Sequence, residues 1–191
     1  MYFKDVLGQE KLKKLLMQSV REGAIPHAQL FFGPKGSAKL ALALAFAQYV
    51  ACTNKQQDDA CGTCPSCVKH LKFVHPDLHF VFPVATTPNV KTKPVSKNFL
   101  SEWRSLLDEN PYFSLFDWLK HIGVGNKQGI ISVEESSRIL KDLSLKPFEG
   151  QTRIMLIWMP EKMNIQAANK LLKILEEPPE KTLFLLVAES T

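Results

Sequence analysis

Between residues 8 and 22, apolar residues return every three or four positions: Leu12, Leu15, Leu16 and Val20, with Lys11, Lys13 and Lys14 on other faces. That spacing predicts an amphipathic helix that packs its leucines on a core and leaves its lysines in water, ended by Gly23 and Pro26. Next comes a short apolar run, Leu30-Phe31-Phe32, then a Gly/Pro turn, then a helical stretch over 39–50. Its Leu40, Leu42, Leu44, Phe46 and Val50 lie among alanines nearly all round, so this helix should be buried between layers. Residues 78–82 alternate as a strand does. A loop over 83–96, punctuated by Pro83, Pro88 and Pro94, leads to two short helices at 97–108 and 113–121. Their aromatics, Phe99, Trp103, Phe116 and Trp118, are expected to form local core rather than a partner surface.

Ser132-Val-Glu-Glu135 reads as a capping box that opens a helix to about residue 145. Residues 153–159 are almost continuously apolar, as in a parallel strand buried on both faces. A helix over 164–177 should turn Ala167, Ala168, Leu171, Leu172 and Leu175 inward and stop at Pro178-Pro179. Thr182–Ala188 is another buried strand. Strands alternating with helices imply an α/β fold with a parallel sheet.

Composition changes this picture little. A length of 191 residues suits one domain with an elaboration, and 45% apolar with 23% charged residues is ordinary for a globular chain. A net charge of +5 permits contact with nucleic acid without pointing to it. The first twenty residues carry charge throughout, and no run approaches the length of a membrane span, so the expected location is the cytoplasm. In that reducing compartment four cysteines suggest a metal rather than disulfides.

Two stretches carry chemistry. Gly33-Pro-Lys-Gly-Ser-Ala-Lys39 sits between a strand and a helix, the context of a phosphate-binding loop, in which backbone N–H groups and a lysine close around phosphate. Measured against G-x-x-x-x-G-K-[ST], Gly33 opens the loop, Gly36 lies within it and Lys39 is the lysine. Ala38, however, replaces the second glycine, and Leu40 replaces the hydroxyl that would hold Mg²⁺. Two readings of Lys39 follow: a residual, Mg²⁺-independent phosphate ligand, or a relic in a loop that only shapes the strand–helix turn. The relic is favoured, and ATP is expected to bind weakly or not at all. The second stretch is Cys52, Cys61, Cys64 and Cys67, spaced C-x8-C-x2-C-x2-C. Two overlapping C-x-x-C steps and a cysteine at a helix end supply the four thiolates of a closed, structural zinc site. His70 and His75 lie nearby and read as ordinary polar residues.

Together with Ala167-Ala-Asn-Lys-Leu-Leu-Lys-Ile-Leu-Glu-Glu-Pro-Pro179, Val6-Leu-Gly-Gln9 and Ile25-Pro-His-Ala28, these motifs resemble the N-terminal AAA+ domain of bacterial clamp-loader subunits, the gamma/tau and delta-prime subunits of DNA polymerase III. The resemblance runs over residues 1–77 and 132–191; the segment 83–130 has no counterpart in it. It implies a P-loop AAA+ parallel-sheet domain with a zinc module at 52–67 and an extra helical insertion at 83–130. Because the chain stops directly after a core strand, it is expected to be the first domain of a longer protein, whose lid and C-terminal collar domains would follow. In the active gamma/tau members the strand matching 153–159 ends in Asp-Glu, which serves Mg²⁺ and the attacking water. Here those places hold Trp158 and Met159, and Glu161 follows only beyond Pro160. With Leu40, every protein group that serves metal and water is missing. The resemblance therefore implies a delta-prime-type, non-catalytic subunit. Its partners would be delta and gamma/tau, and through the complex the sliding clamp and primed DNA. An active gamma/tau-type ATPase and a zinc-dependent nucleic-acid binding module are the alternatives.

Overall fold

Residues 153–158 offer no polar alternation, and the chain places them where none is needed, in a sheet interior covered on both faces. The computed structural model describes residues 1–125 and 127–190. Four strands, β1 (Ala28–Phe32), β2 (Leu78–Val81), β3 (Arg153–Trp158) and β4 (Thr182–Ala188), form one parallel sheet in the order β1-β4-β3-β2. Leu156 sits opposite Leu185 on one side and Phe80 on the other, and every residue of β3 is buried.

Alternation along β3 divides the core in two. Ile154, Leu156 and Trp158 face a layer containing α2 (Lys39–Ala51), while Met155 and Ile157 face α6 (Val133–Ser144) and α7 (Ile165–Glu176). In α2, residues 39–49 are all buried, as apolar side chains on every face require. The α2 layer also takes in α1 (Glu10–Arg21), α3 (Pro65–Leu71), α4 (Leu100–Glu109) and α5 (Leu115–His121). No helix among the described residues is long and apolar enough to cross a membrane.

Helices α4 and α5 do not build a core of their own. Trp103 stacks on Phe82 with ring centroids 4.2 Å apart, meets Trp118 edge-on at 5.2 Å, and reaches Trp158 of β3 at 5.2 Å. The indole N–H of Trp118 donates to the Pro83 carbonyl at 2.7 Å. The segment is thus continuous with the main core, although Phe116 stays largely exposed.

Four local expectations are corrected. Lys13 is buried rather than solvated, because its ammonium donates to the Val6 carbonyl and to Glu10, both at 2.7 Å. The inward stripe of α7 is Ala167, Leu171 and Ile174. Leu172 lies outside it, since a helix lying on one layer buries a narrow stripe. On α1, likewise, Leu16 and Met17 are buried while Leu15 is exposed. At the start of α6, Ser132 occupies the N-cap position but its side chain makes no capping bond. Glu135 turns away from the helix end and accepts the N–H of Ser96, within the 83–130 segment, at 2.6 Å.

Asp77 performs a related task just before β2. Its carboxylate accepts the N–H groups of Phe148, Glu149 and Gly150 at 2.5–2.9 Å, pinning the loop that enters β3. Burial by itself would raise its pKa, but these three bonds and neighbouring His75 outweigh that and hold it below the usual carboxylate value. A group depressed on folding stabilises fully above its unfolded pKa, about 4, and ceases to as pH falls through the lower folded value. Asp77→Asn is therefore expected to cost about 1–3 kcal/mol at neutral pH, the penalty for weakening such buried bonds. In urea unfolding at pH 7 and pH 3.5, the gap between wild type and variant should narrow at the lower pH; a constant gap would contradict this role.

Candidate functional site

The turn after β1 is folded onto itself. The Gly33 N–H donates to the Ala188 carbonyl at 3.3 Å, tying the turn to the end of β4. Gly36 adopts φ +80°, a conformation that favours glycine. Ser37 lies so close to Gly33 that a Cβ there would approach its Oγ to 2.8 Å. The Pro34 carbonyl accepts from three donors: the Ser37 N–H at 3.1 Å, the Ser37 hydroxyl at 2.8 Å and the Lys39 ammonium at 3.0 Å. The Lys39 N–H donates to the Ser37 carbonyl at 2.7 Å. The amides of Ser37 and Lys39, which an open phosphate loop would present to an anion, thus serve the loop's own oxygens. Beside it opens a cavity of about 320 Å³ lined by Leu12, Leu30, Phe32, Gly33 and Lys39.

Lys39 is only 8% exposed, and a buried ammonium needs a counter-charge. Its ammonium finds one in Glu189, whose carboxylate lies 3.1 Å away, just past β4. The Glu189 N–H in turn donates to the Glu161 carboxylate at 2.9 Å. Sequence reasoning missed Glu189. Its only signal is a position directly after β4, and nothing local to the sequence puts the ends of β4 and β1 side by side.

The three positions that the sequence singles out against Mg²⁺ ligation, Leu40, Trp158 and Met159, are apolar and buried. Leu40 points into the core at 5% exposure. Trp158 faces the α2 layer and packs on Trp103 and Phe113, each with ring centroids 5.2 Å away. Met159 is buried at φ +58°, and its N–H donates to the Val187 carbonyl. None of these side chains can ligate a hard cation.

At the far end of α2 the four cysteines converge. Cys52 is the C-cap of α2, and Cys64 is the N-cap of α3, with Pro65 at the helix start. The loop between them carries Cys61, and Cys67 lies in the first turn of α3, fully buried. All four Sγ atoms lie within 4.8 Å of one another. The Cys52–Cys61 and Cys61–Cys67 separations are 3.6 and 3.9 Å. Four sulfurs at 2.3 Å from a tetrahedral ion would stand about 3.8 Å apart, so the cluster fits a metal of that size and is far from disulfide geometry. Three backbone N–H groups, of Cys61, Cys64 and Cys67, donate to the preceding sulfurs at 3.4 Å, as suits thiolates. Around Cys64, bonds from Thr53 and the Cys67 amide overcome burial and pull the thiol down to about 6, whereas burial pushes Cys52 and Cys67 up. His70 and His75 stay outside the cluster. They are buried with ring centroids 4.6 Å apart, and burial holds both below the usual histidine value, His70 at about 3. They are core residues, not the ordinary polar positions the sequence suggested.

A parallel sheet in this order, with a phosphate-type turn leading from β1 into a buried α2, defines a P-loop α/β domain of the AAA+ kind. The family model described as DNA polymerase III, delta subunit, matches residues 8–191, and the chain belongs to that family. Among curated relatives, the DNA polymerase III subunit tau of Bacillus subtilis is 26% identical over 96% of this chain and 25% of its own length. The DNA polymerase III subunit delta' of the same organism is 26% identical over 95% of this chain and 42% of its own length. The chain thus spans less than half of either relative. A crystal structure of a DNA polymerase III gamma subunit-related protein from Thermotoga maritima matches the fold with a TM-score of 0.50 at 16% identity, covering 94% of this chain and 38% of that one.

Proposed function

We propose that this chain is the nucleotide-fold domain of a non-catalytic, delta-prime-type subunit of a DNA polymerase III clamp loader. The observation that carries the reading is Trp158, buried among aromatics at the end of β3, where a catalytic member needs a carboxylate. Leu40 and Met159 support it, since neither offers oxygen to Mg²⁺. On this reading the domain is a rigid element of the loader. Its partners are delta and gamma/tau, and through them the sliding clamp and primed DNA; its place of work is the cytoplasm. Residues 52–67 form a zinc module and 83–130 an insertion within the first domain of a longer protein. Zinc, held by Cys52, Cys61, Cys64 and Cys67, would cross-link the end of α2 to α3. Four thiolates close its coordination shell and leave no position for a reacting water.

The test is turnover. Purified protein with Mg²⁺ and ATP should release phosphate no faster than the Lys39→Ala variant prepared alongside it. Mg²⁺-dependent hydrolysis that disappears in the variant would replace this reading with an active gamma/tau-type motor.

A further inference from the structure

The phosphate loop is already occupied. We propose that the Glu189 carboxylate is the resident anion of Lys39, standing where a phosphoanion would otherwise sit and excluding polyphosphate from the loop. The inference deepens the non-catalytic reading and rests on it: a missing metal site explains the absence of hydrolysis, whereas Glu189 addresses whether phosphate binds at all.

Three features of the loop combine. Lys39 is buried and its ammonium is committed, at 3.1 Å to Glu189 and at 3.0 Å to the Pro34 carbonyl. The Pro34 oxygen, an acceptor, is turned toward the loop's own donors and collects three of them. An incoming phosphate would meet this oxygen, and beyond it a carboxylate, with the amides of Ser37 and Lys39 already engaged. Glu189 is itself held in place, because its N–H is bonded to Glu161 at 2.9 Å. Phosphate entry therefore requires a negative group to be displaced from a buried cation, and like charges brought together in such a site repel strongly. The surroundings do not otherwise block a ligand, since the loop borders an open cavity of about 320 Å³.

The test uses inorganic tripolyphosphate, without Mg²⁺, titrated by calorimetry into the full chain and into its Glu189→Gln form. Glutamine keeps the size of the side chain and removes its charge. The variant is expected to bind at least about tenfold more tightly than wild type, the effect of removing one close like charge. Lys39→Met added to Glu189→Gln should abolish the gain. A parallel thermal melt reports on the ion pair itself. Either single substitution should lower Tm, and the double variant should fall no further than the worse single. Equal affinity of wild type and Glu189→Gln, or no binding by a folded variant, would overturn the proposal. So would strictly additive losses in Tm. Each of these results leaves the non-catalytic reading standing, because only turnover by the wild type bears on that.

Discussion

A Cys67→Ser protein is expected to emerge from purification without stoichiometric zinc and with a markedly lower Tm. Cys67 is fully buried, and its sulfur sits 3.9 Å from Cys61 in a cluster that joins the C-cap of α2 to the first turn of α3. Serine offers a poor ligand there and leaves only three of the four thiols that a tetrahedral ion requires. The stabilisation lost should be about 3–4 kcal/mol, the contribution of a ligand present at a hundred to a thousand times its Kd. Metal content by elemental analysis, together with melts in the presence and absence of a chelator, checks this. Chelation should destabilise the wild type by a similar amount and leave Cys67→Ser unchanged. Wild type that purifies free of metal, with a melt indifferent to chelator, would remove zinc from the account. Because the cluster lies against α2, whose other end carries the phosphate loop, loss of metal is expected to loosen the α2–α3 contact first.

The second large effect lies at Glu135, in the first turn of α6. This carboxylate is 1% exposed; it accepts the Ser96 N–H and pairs with Arg138, which also bonds Asp142 and the Phe80 carbonyl at the β2 edge. Ser96, for its part, exchanges hydrogen bonds with Phe82 in both directions. The network thus fastens the start of the 83–130 segment to the outer strand of the sheet. Glu135→Ala would leave a guanidinium and an amide without their buried partner and is expected to cost about 3–5 kcal/mol. Replacing the pair together, by Glu135→Leu with Arg138→Met, should cost clearly less, since no buried charge is then left alone. Urea unfolding followed by tryptophan fluorescence is the suitable readout, because Trp103 and Trp118 of the attached helices lie in the core that this network closes. A fully exposed-like cost, below about 0.5 kcal/mol for Glu135→Ala, would show the network to be ornamental.

These sites differ in how readable they were. The cysteine cluster was legible because its four cysteines sit within sixteen residues of chain, where their spacing brings the sulfurs together. Helix α2 and strands β3 and β4 were legible for a similar reason, since their apolar patterns are too dense for any exposed element. The Ser132–Glu135 capping box misled because its local bond had to compete with a tertiary one. A buried amide at Ser96, 39 positions away, was worth more to Glu135 than a half-exposed helix end. Lys13 was misplaced on the same principle: a lysine can be buried once a carbonyl and a carboxylate meet its ammonium.

Sequence by itself determined the periodic elements apart from α3, the parallel α/β class, the gathering of the four cysteines and the apolar character of positions 40, 158 and 159. All of these are set by residue type at short range. The tertiary structure alone decided where the buried charges went. Lys39 and Glu189 stand 150 positions apart and meet because β1 and β4 are neighbours in the sheet, so their C-terminal ends lie side by side. A charged side chain that leaves water takes whichever counter-charge the fold brings within reach, and strand order, not local pattern, selects it.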